Sequence, residues 1–145
     1  MSRIEELKDW FASAPLGQKF PLRIDGFAPG HAEVSMEVQL GDLVSDGNAM
    51  IMQGGILAVI ADAAAVLASM STLPSGHTPL AHISYDLLSP TTLLDFRLLA
   101  SANVLTQNPK WIWVEVKVFG MKFPSQTENN LKAVVSAKFA KPKNK

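Results

Sequence analysis

The sequence contains no cysteine and has no excess of charge of either sign. The absence of cysteine excludes disulfide frameworks, thiolate zinc sites and cysteine nucleophiles. Because 13 Lys and Arg balance 13 Asp and Glu, the formal net charge is zero. A protein that binds nucleic acid without regard to sequence needs a positive surface, so we expect no nucleic-acid partner.

The sequence also lacks a hydrophobic run long enough to span a membrane. Its most apolar stretch, residues 54–73, is interrupted by Asp62 and by hydroxyl side chains, whereas a spanning helix needs about 18 uncharged residues. Residues 1–10 carry acidic side chains in place of the basic start and apolar core of a signal peptide. We therefore expect a cytoplasmic protein with no membrane partner.

The length and composition predict one globular domain over residues 1–145. With 48% hydrophobic residues, a chain of this size buries about 70% of its unfolded surface. Ser2 and Glu5 have the spacing of a capping box, which predicts a helix over residues 1–14. The last residues, 141–145, are rich in lysine and predict a flexible basic tail.

Alternating apolar and polar residues predict strands, each with one buried face. The segments with this pattern are 22–27, 32–40, 81–88, 93–105, 111–119 and 131–139. Residues 41–53 contain turn-forming residues and predict a loop. The alanine-rich stretch that begins at Gly54 is apolar on all sides and predicts a buried helix. We predict an α+β fold in which a curved antiparallel sheet wraps one long central helix.

Asp62 is the residue that points most directly to a function. A carboxylate in the middle of a buried helix costs on the order of several kcal/mol in lost hydration unless it is paired or faces a polar cleft. A structural interpretation is an acid hydrogen-bonded within the domain or buried at a subunit interface. A functional interpretation is a catalytic acid or base.

Gly54 and Gly55 stand where the helix begins, and its first amides have no partner within the helix. Such amides carry the positive end of the helix dipole and stabilise an oxyanion, although paired glycines also start crowded helices. Eight residues separate Gly54 from Asp62, which is about 12 Å along a helix, so one chain cannot bring both to one carbonyl. The functional interpretation therefore predicts a two-fold homodimer with composite sites.

Three motifs resemble, in order, those of the hotdog-fold acyl-CoA thioesterases of the phenylacetic-acid-pathway type. They are Gln53-Gly54-Gly55, Ile60-Ala61-Asp62-Ala63-Ala64 and Ser84-Tyr85-Asp86-Leu87-Leu88-Ser89-Pro90. The resemblance implies a hotdog fold that hydrolyses a small or medium, aliphatic or aromatic acyl-CoA to a free acid and coenzyme A. It also implies a homodimer, or a tetramer of two dimers, with no metal and no cofactor.

The same resemblance implies roles for particular residues. The Gly54 amide polarises the thioester carbonyl, and Asp62 is either the nucleophile or the general base. Gly55 completes the glycine pair, while the side-chain amides of Asn48 and Gln53 precede the helix, with Gln53 at the family's histidine position. The resemblance further implies that coenzyme A runs past the loop of residues 88–91 and that Lys110 is the cation near its phosphates. These binding residues are Leu88, Ser89, Pro90, Thr91 and Lys110.

Two features depart from the family pattern. Gln53 replaces the family's histidine, so that it donates a hydrogen bond but cannot become charged. Val66 and Leu80 occupy places where the family has a water-holding serine or threonine. Thr78, His82 and Ser84 are candidates to replace them. The departures leave open an acyl-CoA- or lipid-binding protein without turnover. A hydratase or dehydratase of the same fold, and an Asp62 with a purely structural role in a dimer seam, are further alternatives.

Overall fold

The computed structural model describes residues 2–15, 19–39, 42–45, 50–52, 54–92, 95–122 and 129–143. Its elements in chain order are α1 (Arg3–Ser13), β1 (Leu22–Ala28), β2 (His31–Glu37), β3 (Leu43–Ser45), β4 (Met50–Met52), α2 (Gly54–Met70), β5 (Leu80–Leu87), β6 (Asp95–Gln107), β7 (Trp111–Lys122) and β8 (Asn129–Ala140). Neither helix is long and apolar enough to cross a membrane.

Six of the strands form one antiparallel sheet in the order β1-β2-β6-β7-β8-β5. Helix α2 packs across one face of this sheet and contacts β2, β6 and β7 most extensively. Strand β5 lies at an edge, so its second backbone edge has no partner strand among the described residues. The predicted architecture of a curved sheet around one central helix is confirmed.

The core lies between α2 and the inner face of the sheet. Every second residue of β7 between Ile112 and Val118 is buried and faces α2, as a period of two requires. From α2, Ile60 and Leu67 are fully buried, and its small alanines let the helix lie close to the strands. Each large side chain buried in this way stabilises the fold by about 1.5–3 kcal/mol.

The structure corrects the loop predicted over residues 41–53. Strands β3 and β4 pair there as a short antiparallel hairpin, with Leu43 opposite Met52 and both side chains buried. Strands of three residues are too short to show a period in the sequence. Strand β2 also ends at Glu37, earlier than predicted.

Helix α1 is fixed by hydrogen bonds at its N-terminal turn. The predicted capping box is confirmed, since the Glu5 amide donates to Ser2 Oγ (3.2 Å) and the Ser2 amide donates to Glu5 Oε2 (3.3 Å). Arg3 Nη2 donates to the carbonyl of Met70, the last residue of α2 (3.4 Å), and to the carbonyl of Gly76 in the segment that follows (2.5 Å). These bonds hold α1 beside α2.

Candidate active site

Asp62 lies midway along α2 and is half-buried. Its side chain makes no hydrogen bond or ion pair with another described residue, and burial raises the pKa of its carboxyl group. A raised pKa means that the ionised carboxylate is poorly solvated and therefore a stronger base than a carboxylate in water. Such a group suits proton removal or nucleophilic attack.

Tyr85 on β5 is an ionisable side chain whose titration responds to the charge of Asp62. Its register partner on β8 is Val135, which is buried against α2, so Tyr85 stands on the face of β5 that is directed to the helix. Burial and, second to it, the negative charge of Asp62 raise the pKa of the Tyr85 phenol. Tyr85 is not among the predicted site residues, although the alternating pattern of the strand already places Tyr85 on the face opposite to Ser84.

Substitution of Asp62 by asparagine should lower the pKa of the Tyr85 phenol, because a neutral amide no longer opposes formation of the tyrosinate. Tyr85 is the only tyrosine of the chain, so ultraviolet absorbance reports its titration without ambiguity. Asp86→Asn is the matched control, since Asp86 is exposed and lies, with its register partner Val134, on the face of the sheet opposite to Tyr85. Equal shifts in both variants would contradict a specific coupling between Asp62 and Tyr85.

The predicted substitutes for the missing water-holding residue divide between two faces. His82 and Ser84 pair in register with Lys138 and Ser136, on the face of the sheet that is directed away from α2. Thr78 is buried and lines the same cavity as Asp62, and its hydroxyl forms a hydrogen bond with Ser69 (2.5 Å). Of these three, the structure brings Thr78 alone to the Asp62 side.

The first residues of α2 lie beside the end of β5. A Cβ atom on Gly54 would stand 3.1 Å from Cδ1 of Leu87, so glycine permits this close approach. The corresponding position on Gly55 has no atom within 4 Å and is open. Asn48 and Gln53, which were predicted to provide further amides, lie outside the described residues.

The predicted coenzyme A loop, residues 88–91, is adjacent to this helix start. The Met52 amide, two residues before Gly54, donates to the carbonyl of Thr91 (2.8 Å). At its other end the loop is joined to β8, where the Leu88 amide donates to the Lys132 carbonyl (2.8 Å). The structure thus brings the glycine pair and the loop together within one protomer.

A buried ion pair holds the backbone of the loop 88–91 through a hydrogen bond. Lys132 Nζ lies 3.1 Å from Asp95 Oδ2 and also donates to the Pro90 carbonyl (2.9 Å). Only 5% and 1% of the Lys132 and Asp95 side chains are exposed. A Cβ atom on Gly120 would lie 2.5 Å from both side chains, so glycine at that position leaves room for the pair. Neither residue is predicted, because each falls at a strand end where a polar residue is ordinary.

Lys110 lies at the opposite end of the sheet from the loop. It belongs to the turn before β7, where its carbonyl accepts a hydrogen bond from the Lys141 amide (2.9 Å). Lys110 precedes Trp111, whose register partner on β8 is Ala140. The loop instead contacts Lys132, which lies eight residues before Ala140, or roughly 26 Å along the strand. One protomer therefore does not place Lys110 beside the loop.

A cavity of about 550 Å³ opens beside Asp62. Trp10 and Phe11 of α1 form one wall, and Val66 of α2 and Leu80 at the start of β5 form others. Val66 and Leu80, which stand at the family's water-holding positions, contribute apolar surface here. The Trp10 ring also packs against the His77 ring, with 5.5 Å between centroids.

Within one chain, the candidate residues therefore form two separate groups. One contains Gly54 and the loop 88–91, and the other contains Asp62, Tyr85 and the cavity. The two are about 12 Å apart along α2. The described residues contain no group of three or more His, Cys, Asp or Glu side chains that could hold a metal ion.

No model of a known protein family matches the sequence, and no curated protein matches it. Several solved structures share the fold. A thioesterase family protein from Silicibacter pomeroyi has a TM-score of 0.82 and 19% identity, over 94% of this chain and 95% of that chain. The E. coli PaaI protein from the phenylacetic acid degradation operon has a TM-score of 0.82 and 18% identity, over 98% and 94%.

A mutant of the phenylacetic acid degradation protein PaaI from Thermus thermophilus is similar too, with a TM-score of 0.75 and 24% identity. That match covers 89% of this chain and the whole of the other. The fold predicted from the motifs, a hotdog fold of the kind found in PaaI and other thioesterase-superfamily structures, is confirmed.

Proposed function

We propose that the protein is a homodimeric thioesterase that hydrolyses small or medium acyl-CoA esters to the free acid and coenzyme A. The observation that carries this proposal is the desolvated Asp62 carboxylate, which opens onto an apolar cavity and has no ion-pair partner among the described residues. Structures of the same fold that are named thioesterases support it. We place the activity in the cytoplasm, as the sequence predicts.

In the proposed reaction, the thioester carbonyl lies between Gly54 of one protomer and Asp62 of the other. The Gly54 amide, with Gly55 behind it, donates to the carbonyl oxygen and stabilises the negative charge that develops there. Asp62 either removes a proton from the water that attacks the carbonyl carbon or attacks that carbon itself. Collapse of the tetrahedral intermediate breaks the carbon–sulfur bond and releases the coenzyme A thiolate.

The second route forms a mixed anhydride on Asp62, and water then attacks the Asp62 carbonyl carbon of this anhydride and releases the free acid. Incorporation of heavy oxygen from labelled water into the Asp62 carboxylate during a single turnover would identify this route. The general-base route would leave the Asp62 oxygens unlabelled. Both routes need the same contact between Asp62 and the partner's glycine amide, so the composite site does not depend on this choice.

The surface of β5 supports the proposed dimer. Large apolar side chains are exposed at the end of this edge strand and just after it, including Leu87 (57%) and Leu88 (55%). A free edge with exposed apolar residues favours pairing with another chain. A second copy related by a two-fold axis would cover these residues and bring the Gly54 group of one chain to the Asp62 group of the other. Two such dimers would form the tetramer that the resemblance allows.

We further propose that coenzyme A lies along residues 88–91 of the protomer that provides Gly54. The hydrogen bonds of Met52 and Lys132 to this loop hold its backbone next to the helix start. Lys110 of the same protomer is too remote from the loop to act there, so a contact with the phosphates would require Lys110 of the other protomer.

The test is thiol release from butyryl-, hexanoyl- and phenylacetyl-CoA by the purified protein, with sedimentation to determine its oligomeric state. We expect turnover of at least one of these esters by a dimer or a larger assembly. Saturable binding of the esters without turnover would instead favour a non-catalytic acyl-CoA-binding protein. That rival is consistent with Val66 and Leu80 at the water-holding positions.

A further inference from the structure

We propose that the cavity between α1 and α2 is the acyl pocket and that it selects uncharged acyl groups over acyl groups that end in a carboxylate. This inference rests on the proposed function, because it assigns the cavity to the acyl part of the thioester. It adds a role for α1 and a chemical selectivity that neither the motifs nor the fold specifies.

The position of the cavity fits an acyl group. Asp62 lies in its wall, so a carbonyl that contacts this carboxylate would direct its acyl substituent into the adjoining space. The volume of about 550 Å³ falls within the range of roughly 300–1,000 Å³ that is usual for small-molecule pockets. The coenzyme A moiety would leave in the other direction, toward the loop 88–91 of the other protomer.

Helix α1 closes the pocket on one side. Trp10 and Phe11 face the cavity, and the contact of Trp10 with His77 joins α1 to the segment before β5. Arg3 binds the helix to the carbonyls of Met70 and Gly76 at its other end. The pocket wall is therefore held in place from two directions, which favours a preformed rather than an induced acyl pocket.

The chemistry of the lining favours a neutral occupant. Most of the lining side chains are apolar, and no lysine or arginine is among the described residues that line the cavity. The hydroxyl of Thr78 is already engaged by Ser69. A terminal carboxylate on the acyl group would lose its hydration without gaining a cation, and it would also meet the charge of Asp62. An aliphatic or aromatic group would instead gain from burial.

The inference is tested by calorimetric binding of two coenzyme A thioethers of similar length, S-hexyl-CoA and S-(4-carboxybutyl)-CoA. Neither can be hydrolysed, so binding is measured whether or not the protein turns over thioesters. A pH of about 8 keeps histidine side chains ordinarily neutral. We expect the hexyl compound to bind at least about tenfold more tightly, since each buried methylene improves binding by about fourfold.

A charge variant makes the test specific to the cavity. Leu80→Lys would place an ammonium group at the cavity mouth, and Leu105→Lys would add the same charge at an exposed leucine on β6 outside the cavity. We expect the preference for the hexyl over the carboxybutyl compound to fall by about tenfold or more in Leu80→Lys and to remain unchanged in Leu105→Lys. Unaltered binding of free coenzyme A would show that both variants are folded.

Equal binding of the two thioethers by the unmodified protein, or equal responses of the two lysine variants, would overturn the inference. Those results would leave thioester hydrolysis itself untouched. Conversely, a clear preference for the hexyl compound without turnover of any ester would support the acyl pocket and contradict the proposed enzyme. The two failures are therefore distinguishable.

Discussion

Asp62→Asn is expected to lower kcat for acyl-CoA hydrolysis by about 100- to 10,000-fold, the usual range for a group that transfers a proton in the transition state. Asparagine keeps the shape of the side chain but can neither accept a proton nor attack the carbonyl carbon. The measurement is steady-state thiol release with the best ester of the panel. Asp86→Asn, a neighbouring substitution on the outer face of β5, is expected to retain activity.

The same variant separates a catalytic from a structural Asp62. Because burial raises the pKa of Asp62, the folded state disfavours the ionised carboxylate. The charge therefore lowers stability at neutral pH, and this cost decreases as the pH falls below the folded-state pKa and is gone below the unfolded-state pKa. We expect Asp62→Asn to unfold at the same urea concentration as the wild type or a higher one. Reduced stability with unchanged kcat would contradict a catalytic role.

Lys132→Met is expected to lower the free energy of unfolding by about 3–5 kcal/mol. The substitution leaves the Asp95 carboxylate buried without its counterion, and it leaves the Pro90 carbonyl without its donor. Since whole domains are stable by only about 5–15 kcal/mol, this is a large effect. Urea unfolding at one fixed protein concentration measures it, because the stability of a dimer depends on concentration.

Two further variants show whether the pair itself is responsible. Lys117→Met removes an exposed lysine from β7 and should change stability by less than about 0.5 kcal/mol. The double variant Lys132→Met with Asp95→Leu removes both charges and should recover most of the loss, since apolar residues often replace a buried ion pair without cost. A double variant no more stable than Lys132→Met would contradict an origin in the unpaired charge.

The architecture could be predicted because its elements are long and strongly patterned. Helix α2 is apolar along its length apart from Asp62 and Ser69, and the strands of the sheet alternate over enough residues to establish a period of two. The hairpin of β3 and β4 could not be predicted, because strands this short carry no periodic signal and depend on burial of Leu43 and Met52 against the rest of the fold.

The candidate site could be predicted where it depends on local sequence. A carboxylate within an apolar helix is visible in the sequence, as are two glycines at the helix start. The remaining parts depend on contacts between distant segments. Tyr85 meets the charge of Asp62 only after β5 pairs with β8, and Trp10 reaches the cavity only when α1 docks on α2. The support of the loop by Lys132 and Asp95 likewise joins β8 to the start of β6.

The composite site is the central claim, and paired inactive variants test it. Gly54→Pro removes the amide hydrogen at the first position of α2, where proline is tolerated and the amide has no partner within the helix. Gly54→Ala is its control, because alanine brings a similar contact with Leu87 but keeps the amide. Homodimers of Gly54→Pro and of Asp62→Asn are both expected to be inactive, whereas Gly54→Ala should retain activity.

The most direct measurement is therefore thiol release by a heterodimer of Gly54→Pro and Asp62→Asn protomers, co-expressed with different tags and purified through both. If each site combines Gly54 of one protomer with Asp62 of the other, one of the two sites in the heterodimer is intact. We expect about half of the wild-type activity per dimer. Heterodimers no more active than either homodimer would contradict a site shared between two chains.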